Sequence, residues 1–294
     1  MSEKHPIIAI TGSSGAGTTS VTRTFENIFR REQIKAAVVE GDSFHRYDRL
    51  AMRARQTEAE KDGNKHFSHF GPETNLFAEL QELFRDYSET GTGRCRKYLH
   101  DPVEAAPYKQ EPGTFTPWED LKGDTDLLFY EGLHGAVVTP EINIARYPDL
   151  LIGVVPVINL EWIQKLWRDK YVRGYSAEAG TDTILRRMPD YVNYICPQFA
   201  HTHVNFQRVP MVDTSNPFIA RDIPAAGESM VVIRFANPKG IDFPYLLSML
   251  DDSFMSRANT IVVRGGKMEL AMQLIFTPFI WRMVERRKRA LGAL

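Results

Sequence analysis

Several features that would indicate particular classes of protein are missing from this sequence of 294 residues. Its two cysteines, Cys95 and Cys196, lie far apart and offer neither a disulfide framework nor a Cys-x-x-Cys motif. Its 36 basic and 37 acidic residues give a formal net charge of -1, without the basic excess of a nucleic-acid-binding protein. We therefore expect a cytoplasmic protein with no nucleic-acid partner.

Long hydrophobic runs are also missing. The most apolar late stretch, residues 268–284, is interrupted by Gln273, Pro278 and Arg282, so it is too polar to span a bilayer. The N-terminal sequence MSEKHPIIAI carries an acidic residue and runs directly into a strand pattern, unlike a signal peptide. We therefore expect no membrane partner.

Short apolar runs alternate with helical patterns along the chain. Strands are predicted at residues 6–11, 35–40, 126–130, 149–157, 228–235 and 260–263, and helices at 18–31, 73–87, 159–173, 177–194, 243–255 and from 268 onward. Residues 46–66 suggest a surface helix with a connection, and residues 91–120 a long loop over a site. This alternation predicts an α/β fold of the P-loop kinase type. We expect a mostly parallel sheet between two helical layers (α/β/α), in a single domain spanning residues 1–294.

A glycine-rich segment follows the first predicted strand and opens a helix. It resembles the phosphate-binding pattern G-x-x-x-x-G-K-[ST], in which backbone amides cradle phosphates and the Ser or Thr binds magnesium. Thr18 replaces the expected lysine, and Thr19 is the expected Mg²⁺ ligand. The predicted ATP-binding residues are Gly12, Ser13, Ser14, Gly15, Ala16, Gly17, Thr18, Thr19 and Ser20.

An acidic residue ends the apolar strand LLFYEG at residues 127–132. This is the Walker-B pattern, in which the carboxylate holds magnesium directly or through water. Alternatively, the acid caps the next element, as at the end of many buried strands. Because a phosphate loop precedes it, Glu131 is predicted to support Mg²⁺.

The second predicted strand is followed by EGDSFHRYDRL at residues 40–50. Asp42 lies where ligands gather in open α/β sheets, and His45, Arg46 and Arg49 follow within two helical turns. A kinase needs a carboxylate that orients the attacking hydroxyl, and cations that hold an anionic substrate. The alternative is an Asp42 helix cap beside a solvated basic face.

The predicted helix NLEWIQKLWRDKYVRG presents Lys165, Arg168 and Asp169 on one face, at spacings of three and four residues. In the alternative interpretation, Glu161 pairs with Lys165 and the rest is ordinary surface. Lys165 is nevertheless a natural replacement for the missing loop lysine. We therefore expect Lys165 to reach the transferring phosphate.

Seven segments together resemble the phosphoribulokinases of the bacterial (class I) type, across essentially the whole chain. They read GSSGAGTTS, EGDSFHR, FSHF, YEGLHGA, VPVINLEWIQK followed by RD and RGY, FQRVPMVDTSNPFIARDIP, and FPYLLSML. Bacterial members of this family also resemble the chain in having Thr in place of the loop lysine. The resemblance implies transfer of the ATP γ-phosphoryl group to O1 of D-ribulose 5-phosphate, in the Calvin cycle.

The resemblance also implies roles for particular residues. Asp42 would be the general base and Asp169 a second catalytic carboxylate, and Lys165 and Arg168 would stabilise the phosphoryl group or bind ATP. The sugar phosphate would be bound by His45, Arg49 and Arg173, with Tyr98 as a further candidate. NADH activation and AMP inhibition are implied as well, and Arg31, Arg234 and Arg257 are candidates for the effector site. We also expect a homo-oligomer.

Two alternatives to this function remain open at this point. One is a related small-molecule kinase on the same scaffold, such as a uridine kinase or a pantothenate kinase. The other is a nucleotide sensor without catalysis, which the missing loop lysine suggests. The presence of Asp42, Glu131, Lys165 and Asp169 favours an enzyme, because a protein that only binds nucleotide needs no base.

Overall fold

A twisted sheet with helices on both faces forms the centre of the structure. The structure is a computed structural model that describes residues 2–13, 18–172, 174–218 and 222–293, without the side chains of residues 18–20. Among these residues the sheet has eight strands, in the order β2-β5-β1-β6-β7-β8-β10-β9. They are β1 (Ile7–Gly12), β2 (Ala36–Glu40), β5 (Leu127–Gly132), β6 (Leu150–Val155), β7 (Val204–Pro210), β8 (Ser229–Phe235), β9 (Phe254–Arg257) and β10 (Thr260–Arg264).

Two short strands form a separate antiparallel pair, and helices connect most of the strands. The pair is β3 (Arg94–Cys95) with β4 (Glu119–Asp120). The helices are α1 (Thr18–Arg31), α2 (Arg49–Lys61), α3 (Phe77–Thr90), α4 (Pro102–Ala105), α5 (Ile158–Tyr171), α6 (Ala177–Asp190), α7 (Phe243–Met249) and α8 (Met268–Ala290). The expectation of an α/β fold with helices on both faces of the sheet is confirmed.

The side chains of β1 divide between two apolar cores, one on each face of the sheet. Ile8 and Ile10 pack with α1 and α8, whereas Ile7 and Ala9 pack with α3 on the other face. Successive strand residues point to opposite faces, so a strand covered on both faces must be apolar at every position. This explains why β1 and β5 have continuous apolar sequences.

The sheet changes from parallel to antiparallel pairing at β7. Strands β2, β5, β1, β6 and β7 pair in parallel, and β8, β10 and β9 extend the sheet antiparallel. We did not predict β7, because its sequence leads into a turn-rich segment. The predicted helix 243–255 is wrong beyond Met249: residues 254–257 form β9 instead. The predicted long loop contains β3, β4 and α4.

Two glycines bring the carboxyl ends of β2 and β5 into close contact. A Cβ atom on Gly132 would lie 2.6 Å from the Cα atom of Gly41, and one on Gly41 would lie 2.7 Å from the Cα atom of Gly132. Tyr130 approaches the same point, with its hydroxyl 2.7 Å from the added Gly132 Cβ. Neither backbone atom can move without displacing its strand, so glycine is required at both positions.

Replacement of Gly132 by alanine is therefore expected to lower the free energy of unfolding by about 1–3 kcal/mol, the usual cost of forcing extra atoms into a packed site. Urea denaturation of the purified variant measures this change. The matched control is Gly123→Ala, because a Cβ there meets no atom within 4 Å. The control should stay within about 0.5 kcal/mol of the parent protein. Equal stability of the two variants would contradict the prediction.

Candidate active site

The carboxyl ends of the parallel strands meet at one edge of the sheet. β1 ends at Gly12 and β6 ends at Val155, while Glu40 of β2 lies opposite Glu131 of β5. Ligands of open α/β sheets bind at this edge, because the loops that leave the strands form a crevice there. Asp42 and α5 follow two of these strand ends, so the structure brings the main predicted groups to the same edge.

The first residue of the phosphate loop is tied to α5. Ser13 is buried, and its hydroxyl donates a hydrogen bond to Glu161 of α5. The Tyr191 hydroxyl donates to the other Glu161 oxygen over 3.2 Å. Burial raises the pKa of Glu161. Ser14, Gly15, Ala16 and Gly17 lie outside the described residues, as do the side chains of Thr18, Thr19 and Ser20.

Asp42 lies between two imidazoles in the turn after β2. Its carboxylate is 3.2 Å from Nε2 of His45 and 3.7 Å from Nε2 of His100. Burial raises the pKa of Asp42, but the charge and hydrogen bond of His45 and the charge of His100 outweigh it, so this pKa lies below its ordinary value. The side chain keeps 40% of its surface exposed. Asp42 therefore offers an ionised and accessible carboxylate.

Lys165 and Asp169 form a buried ion pair along α5, with relative exposures of 6% and 3%. Burial, followed by the charge of Arg187, lowers the pKa of Lys165 to about 8, although the hydrogen bond to Asp169 opposes this change. The alternative in which Glu161 pairs with Lys165 on an ordinary surface is wrong, because Glu161 bonds to Ser13 and Lys165 is buried. Arg168 lies half-buried on the same helix.

The charge of Arg187 on α6 acts both on the ion pair of Lys165 and Asp169 and on His45 near Asp42. Its guanidinium carbon lies 4.9 Å from the centre of the Phe70 ring. Its charge, second to burial, lowers the pKa of Lys165, and it also opposes the raised pKa of His45. The site thus contains a concentration of positive charge that suits an anionic ligand.

The described part of this edge offers carboxylates for a magnesium ion, but not a complete protein cage. In the part of the chain that the structure describes, no group of three His, Cys, Asp or Glu side chains is arranged to hold a metal. Protein sites for Mg²⁺ commonly combine one or two carboxylates with phosphate oxygens and waters. Glu131, half-buried at the end of β5, fits this arrangement.

The predicted sugar-phosphate residues Arg49 and Tyr98 lie beside Asp42. Arg49 is the first residue of α2, and it donates a 2.8 Å hydrogen bond to the His100 carbonyl. The Tyr98 ring contacts the His100 ring edge-on, with centroids 4.8 Å apart. Arg49 and Tyr98 thus both contact His100, which in turn lies 3.7 Å from the Asp42 carboxylate. Arg173 lies outside the described residues.

Two of the three effector candidates share a cavity at the antiparallel part of the sheet. Arg234 and Arg257 line a space of about 550 Å³, within the usual size range of small-molecule sites. Its polar wall also includes Asn205 and Gln207 of β7. Arg31 is not among the lining residues; it donates a 3.0 Å hydrogen bond to Thr277 of α8.

Comparison with known proteins identifies the scaffold. The sequence profile of the phosphoribulokinase/uridine kinase family matches residues 7–215, which include the phosphate loop, Asp42, Glu131 and α5. The chain belongs to this family.

Members of the family that resemble the chain over nearly its whole length are phosphoribulokinases. The chromosomal phosphoribulokinase of Cupriavidus necator is 79% identical over 290 residues, covering 99% of each chain. That of Nitrobacter vulgaris is 70% identical over 290 residues, covering 99% of this chain and all of the relative. The solved phosphoribulokinase from Rhodobacter spheroides has a TM-score of 0.90 at 59% identity, covering 98% of this chain and all of that one. The predicted family, fold and kinase class are confirmed.

Three buried or half-buried residues at this edge were not predicted. Glu161 and Arg187 were assigned to helices without a role at the site, because a charged residue on a helical pattern is usually solvated. Asn75, which contacts His45, falls within the predicted helix 73–87, whereas in the structure α3 begins only at Phe77. Its position just after FSHF, one of the family-like segments, was the available signal.

A membrane-spanning helix is not found: within the described ranges, no helix combines the length and the apolar character that crossing a bilayer requires.

Proposed function

We propose that the protein transfers the γ-phosphoryl group of ATP to O1 of D-ribulose 5-phosphate, giving D-ribulose 1,5-bisphosphate and ADP. The observation that carries the proposal is the accessible Asp42 carboxylate at the phosphate-loop edge of the sheet, 3.2 Å from His45 Nε2 and 3.7 Å from His100 Nε2. The names of the relatives at 79% and 70% identity support the same reaction. In the cell this activity belongs to the Calvin cycle.

Asp42 is proposed as the group that receives the proton of the attacking hydroxyl. Its lowered pKa makes it a weak base but keeps it ionised at every working pH. A weak base suffices, because the loose transition state of phosphoryl transfer needs a positioned nucleophile more than early proton removal. Asp169 is only 3% exposed and is already paired with Lys165. We therefore propose that Asp169 positions this lysine.

Lys165 is proposed to replace the missing loop lysine, with Arg168 beside it. The loop's backbone amides and the start of α1 hold the phosphates of ATP. Lys165 supplies positive charge from a buried position, where electrostatic interactions are less screened than in water. Glu131 and Thr19 would hold Mg²⁺, which would supply positive charge to offset the negative charge of the ATP phosphates.

The sugar phosphate is proposed to lie against Arg49, Tyr98 and Arg173, in the field of His45. A neutral nucleoside would gain little from this cationic surface, which argues against a uridine kinase. A sensor without catalysis would not need the exposed carboxylate of Asp42. The positive groups therefore favour a phosphorylated acceptor.

A coupled assay of ADP release separates these alternatives. With ATP and Mg²⁺, we expect rapid ADP release with ribulose 5-phosphate, and only background release with uridine or without an acceptor. Asp42→Asn should lower kcat with ribulose 5-phosphate by about a hundredfold or more, since general-base groups contribute about 10²–10⁴. Turnover of uridine, or none with any acceptor, would overturn the proposal.

Lys165→Met is expected to lower kcat by about ten- to a hundredfold, because a charge-assisted hydrogen bond is worth about 1.5–3 kcal/mol. The KM for ATP should change little, since the backbone amides remain. Lys165 loses its charge as the pH rises through its pKa of about 8 in the folded protein. The kcat/KM of the parent protein should therefore fall above that pH. The matched variant Lys165→Arg keeps its charge and should lack this fall. Unchanged turnover of Lys165→Met would contradict the assignment.

We also propose NADH as an activator that binds in the cavity of Arg234 and Arg257, with AMP as an inhibitor. The two guanidinium groups suit the pyrophosphate, and the apolar wall formed by Phe199 and Val232 suits a flat ring. Arg31 lies on a different part of the surface, so its part in this regulation would be indirect or would involve another subunit.

Arg257→Ala is accordingly expected to raise the NADH concentration needed for half-maximal activation by about tenfold, the effect of one lost charged hydrogen bond. The measurement is kcat against NADH concentration. Arg264→Ala is the control, because Arg264 pairs with Asp252 and does not line the cavity. Full activation of Arg257→Ala at the parent concentration would exclude this residue from the effector site.

A single domain, a cytoplasmic location and a homo-oligomer complete the proposal. One continuous sheet contains strands from residue 7 to residue 264, which supports a single domain. The composition supports a cytoplasmic protein without a nucleic-acid or membrane partner.

A further inference from the structure

We propose that Asn75 is a positioning residue that holds His45 as an imidazolium and so fixes a positive charge beside Asp42. The part of this inference that concerns the acceptor rests on the proposed function. The protonation of His45 follows from geometry and can be measured without turnover.

The backbone places Asn75 directly opposite His45. Residues 44–46 and 74–76 pair as an antiparallel bridge: Leu76 N–H donates to the Phe44 carbonyl over 2.8 Å, and Arg46 N–H donates to the Thr74 carbonyl over 2.7 Å. Asn75 is 3% exposed. Its side chain must therefore find its partners within the protein.

The surroundings of the amide decide which way it points. Its Nδ2 lies 2.9 Å from the His69 carbonyl and 2.7 Å from the Gly71 carbonyl. Carbonyl oxygens only accept, so the nitrogen must face them and the oxygen must face His45. Asn75 Oδ1 lies 2.9 Å from His45 Nδ1. His45 Nδ1 consequently carries a proton.

The second ring nitrogen of His45 also faces an acceptor. Its Nε2 lies 3.2 Å from the Asp42 carboxylate, which only accepts when ionised. A ring that donates from both nitrogens is an imidazolium. Burial lowers the pKa of His45, but the charge of Asp42 and the hydrogen bonds to Asp42 and Asn75 outweigh it, so the pKa is raised.

His45 differs from the two other imidazoles around it, His69 and His134, whose pKa values are lowered. The His69 ring lies tilted against the His45 ring, with centroids 4.5 Å apart. Burial and the charge of His45 lower the pKa of His69. Burial lowers the pKa of His134 to about 3, and Arg187 opposes protonation of His45 from α6. Arg96 donates to the His45 carbonyl over 2.6 Å. Of the three clustered imidazoles, His45 is the one held by two acceptors.

Both N–H groups of His45 are thus committed within the protein, and the side chain is only 9% exposed. His45 therefore acts on a phosphorylated acceptor through its charge, and on Asp42 through a fixed hydrogen bond. In a variant whose His45 loses its proton at a lower pH, we therefore expect weaker binding of the acceptor, most of all at alkaline pH.

The test is ¹⁵N NMR of the histidine side chains, with His45 assigned from the spectrum of His45→Gln. We expect both ring nitrogens of His45 to be protonated at about pH 7.5, where an ordinary histidine is mostly neutral. A neutral His45 in the parent protein would overturn the proposal whatever the variants do. A protonated His45 supports it, even if ribulose 5-phosphate is not the acceptor.

A matched pair of variants separates charge from loop structure. Asn75→Leu removes the acceptor and the donors, whereas Asn75→Asp keeps the acceptor and loses the two donors to backbone carbonyls. We expect His45 to be neutral at about pH 7.5 in Asn75→Leu and protonated in Asn75→Asp. Equal loss of the proton in both variants would assign Asn75 to loop structure alone and overturn the proposal.

Kinetics give a second readout for the acceptor. The loss in kcat/KM for ribulose 5-phosphate in Asn75→Leu should be greater at pH 8 than at pH 6, because the variant loses the His45 charge at a lower pH than the parent protein does; we expect a difference of about tenfold, the effect of one lost charge-assisted interaction. The control is Ser68→Ala, which loosens the neighbouring turn by removing the 2.8 Å hydrogen bond from the Ser68 hydroxyl to Asp190, away from the contact between Asn75 and His45. A loss in Asn75→Leu that does not depend on pH would contradict the inference.

Discussion

The contact between the backbones of Gly41 and Gly132 determines the geometry of the whole site. It brings β2 and β5 so close at their carboxyl ends that no side chain fits between them. Asp42 follows the first glycine and Glu131 precedes the second, so one contact fixes both the carboxylate proposed for the acceptor and the carboxylate proposed for the metal. Tyr130 is buried beneath it, and burial raises the pKa of its hydroxyl. The Tyr130 hydroxyl beneath the site therefore stays neutral, and the glycine contact keeps the two strand ends in fixed positions.

Two ion pairs lie above this contact: the partly exposed Asp42 with the buried His45, and the buried Lys165 with the buried Asp169. Desolvation makes such pairs poor sources of stability, and apolar replacements often fold better. The presence of these two ion pairs is understandable if each holds a charge at a position that the site requires. Arg187 lies close enough to influence both, and its charge works against each cation, which favours a site completed by an anionic ligand.

Most of the fold could be predicted, because strands buried on both faces and amphipathic helices leave strong patterns. Strand β7 was missed, because its sequence leads into a turn-rich segment and its apolar core residues alternate with polar residues that line the cavity of Arg234. The acidic and basic residues of the site could be proposed from their motifs and the family resemblance. Asn75 and Glu161 could not, because their roles depend on which atoms face them across the fold. No local spacing reveals that Ser13 meets a residue 148 positions away.

The bond between Ser13 and Glu161 has a mechanical consequence. Glu161 and Lys165 are separated by one turn of α5, a rise of about 6 Å. One helix thus holds Ser13, at the start of the predicted phosphate loop, and carries Lys165, the cation proposed to replace the loop lysine. Lys165 therefore keeps its place relative to Ser13 through the backbone hydrogen bonds of α5. The cation that we propose in place of the missing loop lysine is thus positioned by a helix.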